Sequence, residues 1–159
     1  MTTSEIQVYQ SRVMIKIEYP IHDFKMRNQN GKEFIFDELR KLWVRLTPEE
    51  WVRQNFLQYI IKVKKYPSSL IAIEKEILLG ELKKRFDILV YDDHHKPWMM
   101  IECKAMQIHL DENVLYQVLR YNISVPVPFI VITNGKFMAG FDRRVKDIQI
   151  LNELPDFLQ

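Results

Sequence analysis

The stretch "PWMMIECKAM", residues 97–106, sets two charged side chains, Glu102 and Lys104, inside an apolar run. Alternate residues of a strand share a face, so a strand here carries both charges on one side of an otherwise apolar sheet. Burying such charge is costly unless it is paired. A second strand candidate, residues 85–92, precedes it, and the polar loop "DHHK" (93–96) closes the two as a hairpin. That closure places Asp92 opposite Pro97 and Asp87 opposite Glu102, on the face that also carries Lys104, with paired β-carbons about 5 Å apart. A slip of one residue would undo the arrangement. Two facing carboxylates repel unless positive charge lies between them. Lys104 supplies one charge. A divalent cation supplies two and takes oxygen ligands from both carboxylates; Mg²⁺, which uses one or two protein carboxylates and completes its shell with water and phosphate, suits the pair. A water-exposed salt bridge Asp87–Lys104–Glu102 satisfies the same charges without a metal.

Working outward, "LTPEEWVRQNFLQYIIKVKKYP" (46–67) carries helix punctuation: Thr47 as N-cap, Pro48 at the first helical position, Pro67 beyond the end. Val52, Phe56, Tyr59, Ile60 and Val63 follow helical spacing. Its first turn holds Glu49 and Glu50. Thr47-x-x-Glu50 reads as a capping box, which gives Glu50 a structural task. Glu49 falls on the stripe of Val52 and Phe56 and points toward the sheet, so it is preferred over Glu50 as a third acidic group. Favourable interaction with the helix dipole is its alternative role.

Residues 110–122, "LDENVLYQVLRYN", form a second helix with Asp111 near its start. Gln117 and Tyr121 lie four apart on one face. They serve either as a hydrogen-bonded pair at the core edge or as a wall beside the carboxylates that orients a phosphate or nucleotide. Arg53 and Arg120 have phosphate contact or an ordinary surface role open to them. "NQNGK" (28–32) and "TNGK" (133–136) are Asn-Gly hairpin signals, and 69–79 reads as a strand ending at Gly80. The order is β-β-α-β-β-β-α-β-β, a mixed sheet with helices packed on it, of α/β class bordering on α+β.

Composition bounds the rest. With 159 residues, 47% hydrophobic and 28% charged, the chain is long enough for one domain with a true core. A net charge of +2 identifies no partner. Residues 40–66 hold seven Lys/Arg against two Glu, and "KKR" (83–85) and "DRRVK" (142–146) add short basic clusters, readable as solvated faces or as a phosphate-contacting surface. No run is long enough to span a membrane, the N-terminus lacks a signal-peptide plan, and the single Cys103 suits a reducing cytoplasm.

The pieces "LTPEEWVRQ", "KRFDILVYD", "IECKA", "QVLRY" and "VITNG", in this order over about 90 residues, resemble the PD-(D/E)xK nuclease superfamily, in the branch of the N-terminal nuclease domain of type I restriction enzyme R subunits. Singly, E-x-K or Q-x-x-x-Y is a weak motif; the ordered set is much more specific. The resemblance implies a restriction-endonuclease-like core, a central mixed sheet flanked by helices. It implies that Asp87, Glu102 and Glu49 bind metal together with the backbone carbonyl of Cys103, that Lys104 is the catalytic lysine, and that Gln117 and Tyr121 form the Q-x-x-x-Y element. Mg²⁺ is the implied cofactor, with Mn²⁺ as substitute. DNA is the implied partner, duplex rather than single strand, with a homodimer or restriction-complex subunits as protein partners. Phe86 stands where the family name has Pro. R subunits carry motor domains, whereas this sequence contains no P-loop pattern. The expected organisation is a single nuclease-like domain: an N-terminal hairpin extension (1–40), the core (41–142) and a C-terminal tail (143–159).

Overall fold

The computed structural model describes residues 14–158. The expectation of no signal peptide concerns residues 1–20 and lies mainly outside the described residues. The chain runs β1 (Ile15–Lys16), β2 (Met26–Gln29), β3 (Lys32–Asp37), β4 (Leu42–Arg45), α1 (Pro48–Lys62), a short 3-10 turn (Ser68–Leu70), β5 (Ile71–Leu79), β6 (Leu82–Tyr91), β7 (Pro97–Cys103), α2 (Glu112–Tyr121), β8 (Phe129–Thr133), β9 (Phe137–Asp142) and β10 (Gln149–Ile150).

Two sheets result. The central one has the order β1-β9-β8-β7-β6-β5, with β10 also pairing β9. It is mixed: β5-β6-β7 is an antiparallel meander, β7 and β8 are parallel, and β8-β9 is a hairpin. The parallel step requires a crossover, which α2 supplies. Each face is covered by one helix. Val52, Phe56, Leu57 and Ile60 of α1 pack on Ile88, Val90, Met99, Ile101 and Val131. Leu115 and Val118 of α2 pack on Phe86, Leu89, Met100, Ile130 and Ile132. Burial on both faces is why β7 and β8 read as unbroken apolar runs rather than alternating ones. This is the expected mixed sheet between helices, consistent with a restriction-endonuclease-like core.

The second sheet, β2-β3-β4, is an addition. Its hairpin turns at Asn30 and Gly31, both with positive φ (53° and 75°), as a type I′ turn requires. Strand β4 escaped the sequence reading because "LWVR" directly precedes a strong helix start. Strands β1 and β10 are two residues each, too short for any periodic signal. The tail, ambiguous in sequence, returns to the core: Leu154 is buried, Phe157 packs against Trp98 and Tyr66, and the Tyr66 hydroxyl donates to the Pro155 carbonyl at 2.6 Å.

Candidate active site

The β6-β7 ladder pairs Ile88 with Ile101, Leu89 with Met100 and Val90 with Met99, the register inferred from loop length. At the hairpin end it differs. An irregularity at Val90/Tyr91 sets Tyr91, not Asp92, opposite Pro97, and Asp92 instead organises the turn by accepting from the His94 and Lys96 amides. At the other end the ladder runs to the Ile88–Ile101 pair, and beyond it the Asp87 carboxylate accepts from the Cys103 amide at 2.8 Å. A side chain thus stands where a backbone ladder partner would be. The other edge of β7 stays paired with β8 through Cys103 and Thr133, and the Lys104 amide donates to the Thr133 carbonyl at 2.7 Å.

Glu102, Lys104 and Glu49 line one cleft of about 980 Å³, whose other wall is α2 with Gln117, Arg120 and Tyr121. Asp87 lies outside that lining but acts on Glu102 electrostatically. Burial pushes the Glu102 carboxyl up, the Asp87 charge pushes it further, Lys104 opposes, and Glu49 adds a smaller upward push. Lys104 Nζ stands 3.4 Å from Glu102. Cys103 points to the opposite side, into the core with α1, and burial holds its thiol well above the ordinary range.

Of the two first-turn acids, Glu49 is exposed and in the cleft, whereas Glu50 is buried. The capping box forms only by half. Thr47 Oγ1 accepts from the Glu50 amide at 3.1 Å, but the Glu50 carboxylate turns to Arg40, Arg53 and Gln54 instead of the cap backbone. Arg53 needs a parallel correction. It is not on a surface open to phosphates: it is 7% exposed, paired with Glu50 and Glu74, and 3.8 Å from Asp87. Burial alone would lower its pKa, yet the carboxylates of Glu50, Asp87 and Glu74 outweigh burial and raise it. Arg120 and Gln117 are exposed in the cleft, as is Tyr121, whose ring and carbonyl receive the buried Lys84 ammonium.

Sequence reasoning missed the network behind the site. Asp37 and Glu50 both contact Arg40 and Gln54, and Arg40 reaches on to Glu74, which Arg53 and Arg85 also bind. Its members come from β3, the β3-β4 turn, α1, β5 and β6, and no local pattern marks such a set. The "VITNG" segment also acquires a task. The Asn134 side chain donates to the Ile108 carbonyl and accepts from the Lys136 and Phe137 amides, which ties the loop after Lys104 to the β8-β9 turn. Gly135 has φ +88°, and a Cβ there would stand 3.1 Å from Val52. The local signal, an Asn-Gly pair, announced the turn but not its contact with the loop after Lys104.

Among the described residues no group of three or more His, Cys, Asp and Glu side chains stands ready-made to hold a metal ion. In kind the donors fit a hard divalent cation: the carboxylates of Asp87, Glu102 and Glu49 offer only oxygen, and Asp87 and Glu49 both raise the Glu102 carboxyl, a repulsion that a bound cation relieves. No described helix is long and apolar enough to cross a membrane.

No curated protein matches the chain. The family profile described as type I restriction enzyme R protein N terminus (HSDR_N) matches residues 48–156, from the first turn of α1 to the returning tail. That span covers well over half of the sequence and contains every side chain lining the cleft. The chain therefore belongs to the family of type I restriction enzyme R protein N-terminal domains.

Proposed function

We propose that this chain is a Mg²⁺-dependent endonuclease that hydrolyses phosphodiester bonds of DNA in a restriction or defence setting, duplex being the preferred substrate. The observation that carries the reading is the cleft in which Glu49, Glu102 and Lys104 meet beside Asp87. Asp87, Glu102, Glu49 and the Cys103 carbonyl would hold Mg²⁺, or Mn²⁺ in its place. When bound, such an ion lowers the pKa of a coordinated water and offsets charge developing on the phosphate.

The remaining work belongs to the chain. Lys104, fixed by its backbone bond to Thr133 and by Glu102, holds its ammonium beside the attacked phosphate, where it orients the nucleophile and stabilises developing negative charge. Gln117 and Tyr121 line the facing wall and position the scissile phosphate or its nucleotide, and Arg120 meets the phosphate backbone. Arg53 acts behind Asp87, as a positioning residue. A homodimer or the other subunits of a restriction complex would bring a second site to the opposite strand.

Supercoiled plasmid incubated with the protein in Mg²⁺ or in EDTA tests the reading. Cleavage is expected in Mg²⁺ alone, and Lys104→Ala is expected to slow it on the order of 10²–10³-fold. Equal cleavage by Lys104→Ala would refute the lysine's role. A salt-dependent gel shift without any cleavage would leave a nucleic-acid-binding domain that has kept the nuclease fold.

A further inference from the structure

The small sheet presents a face that the nuclease reading does not use. Strand pairing sets Arg27, Phe34 and Arg45 in one row across β2, β3 and β4. The next row holds Phe36 and Trp43, and the hydrogen bond from the Phe36 amide to the Lys25 carbonyl extends it to Lys25. Lys32 lies two residues from Phe34 on the same side. The opposite side of β3 carries Ile35 and Asp37, both fully buried, and Asp37 is bonded to Gln54 of α1. The aromatic rows therefore face away from α1. Phe34, Phe36 and Trp43 are half-buried, while Lys25, Arg27, Lys32 and Arg45 are exposed. Four cations and three aromatic rings share this face, and by strand alternation no Asp or Glu of β2, β3 or β4 does.

Two of the cations already lie over rings. The Arg27 guanidinium is 4.4 Å from the Trp43 centroid and 5.8 Å from that of Phe34, and the Lys25 ammonium is 5.7 Å from that of Phe36. Such contacts hold the rings and the charges at the surface together. A guanidinium stacked on one side also presents its other plane to a base. Positive charge that follows a phosphate backbone, interleaved with ring faces that accept any base, is the chemistry of single-strand recognition. A duplex hides its base faces and could use only the cations.

We infer that the outer face of the β2-β3-β4 sheet binds single-stranded nucleic acid, with bases stacked on Phe34, Phe36, Trp43 and the Arg27 plane and phosphates on Lys25, Lys32 and Arg45. The face precedes residue 48, where the family match begins, and so is separate from the shared core.

Anisotropy of labelled oligothymidylate and oligouridylate, with a duplex of equal length for comparison, tests this in EDTA with the full chain. Binding is then read without cleavage and does not depend on the nuclease reading. Single strands should bind, with the relative affinities of the two oligomers telling DNA from RNA, and duplex binding, which the cleft also offers, should not respond to the ring variants. Trp43→Leu and Phe34→Leu should each weaken binding by about 5- to 150-fold. Lys32→Gln and Arg45→Gln, both at exposed positions, should each lower the log–log salt slope by about 0.7. Parent-like single-strand binding by both the ring and the cation variants, or ring variants that weaken duplex binding as much as single-strand binding, would overturn the inference, as would no single-strand binding at low salt.

Discussion

Glu49 and Glu50 are neighbours in the chain with opposite surroundings. Glu50 is enclosed by Arg40, Arg53 and Gln54, while Glu49 opens into the cleft. Removing one member of a buried ion cluster leaves charge uncompensated, so Glu50→Gln should lower stability by about 3–5 kcal/mol in urea unfolding. Glu49→Gln should stay within about 0.5 kcal/mol of the parent while slowing plasmid cleavage. Asp37 makes a prediction in pH. Burial alone would raise its carboxyl, but hydrogen bonds from the Arg40 amide and guanidinium and from Gln54 outweigh burial and bring it below the ordinary aspartate value. A carboxyl depressed on folding stabilises fully above its unfolded value, near pH 4, and loses that contribution as pH falls through the folded value. Asp37→Asn should therefore be less stable than the parent at pH 7, and the gap should narrow as pH drops below about 4. A constant gap across that window would show that Asp37 acts through shape rather than charge.

At the scale of elements, β7 carries the site because its two edges differ: one stays in the parallel ladder with β8, while the other takes the Asp87 side chain at Cys103. Helix α1 backs this strand. Phe56 is fully buried between α1 and the sheet, so Phe56→Ala should cost about 3–5 kcal/mol and lower the thermal midpoint accordingly. The elements that sequence announced were those with strong local signals: Thr47-Pro48 for α1, Asn-Gly for both hairpins, and the apolar runs of β6 to β8. Of the two roles open to the basic clusters, their contacts favour the structural one, because contiguity in sequence is not contiguity in a strand. In "KKR", Lys83 pairs with Glu76, Lys84 is buried against Tyr121, and Arg85 binds Glu74. In "DRRVK", Arg143 caps the carbonyls of Asn122, Val125 and Val127. The basic face that does form, from Lys25, Arg27, Lys32 and Arg45, is scattered over three strands and leaves no run to notice.

For the whole molecule, a mixed sheet between two helices brings one cleft together from distant segments: the start of α1, β6 at Arg85 and Phe86, the end of β7 and α2. The ladder keeps the expected register from Ile88 to Val90 even though Tyr91 rather than Asp92 stands opposite Pro97, so the irregularity at Val90/Tyr91 restores a register that loop length alone did not fix. The charge network of Asp37, Arg40, Glu50, Arg53 and Glu74 was not legible, since it joins residues that only the tertiary fold makes neighbours. The chain's place among type I restriction enzyme R protein N-terminal domains fits this architecture. The most direct measurement of its chemistry is an anomalous-difference map from crystals soaked in Mn²⁺. We predict a single strong peak contacted by carboxylate oxygens of Asp87 and Glu102, lost in Asp87→Asn; no peak at saturating Mn²⁺, or a peak remote from these two side chains, would contradict the account.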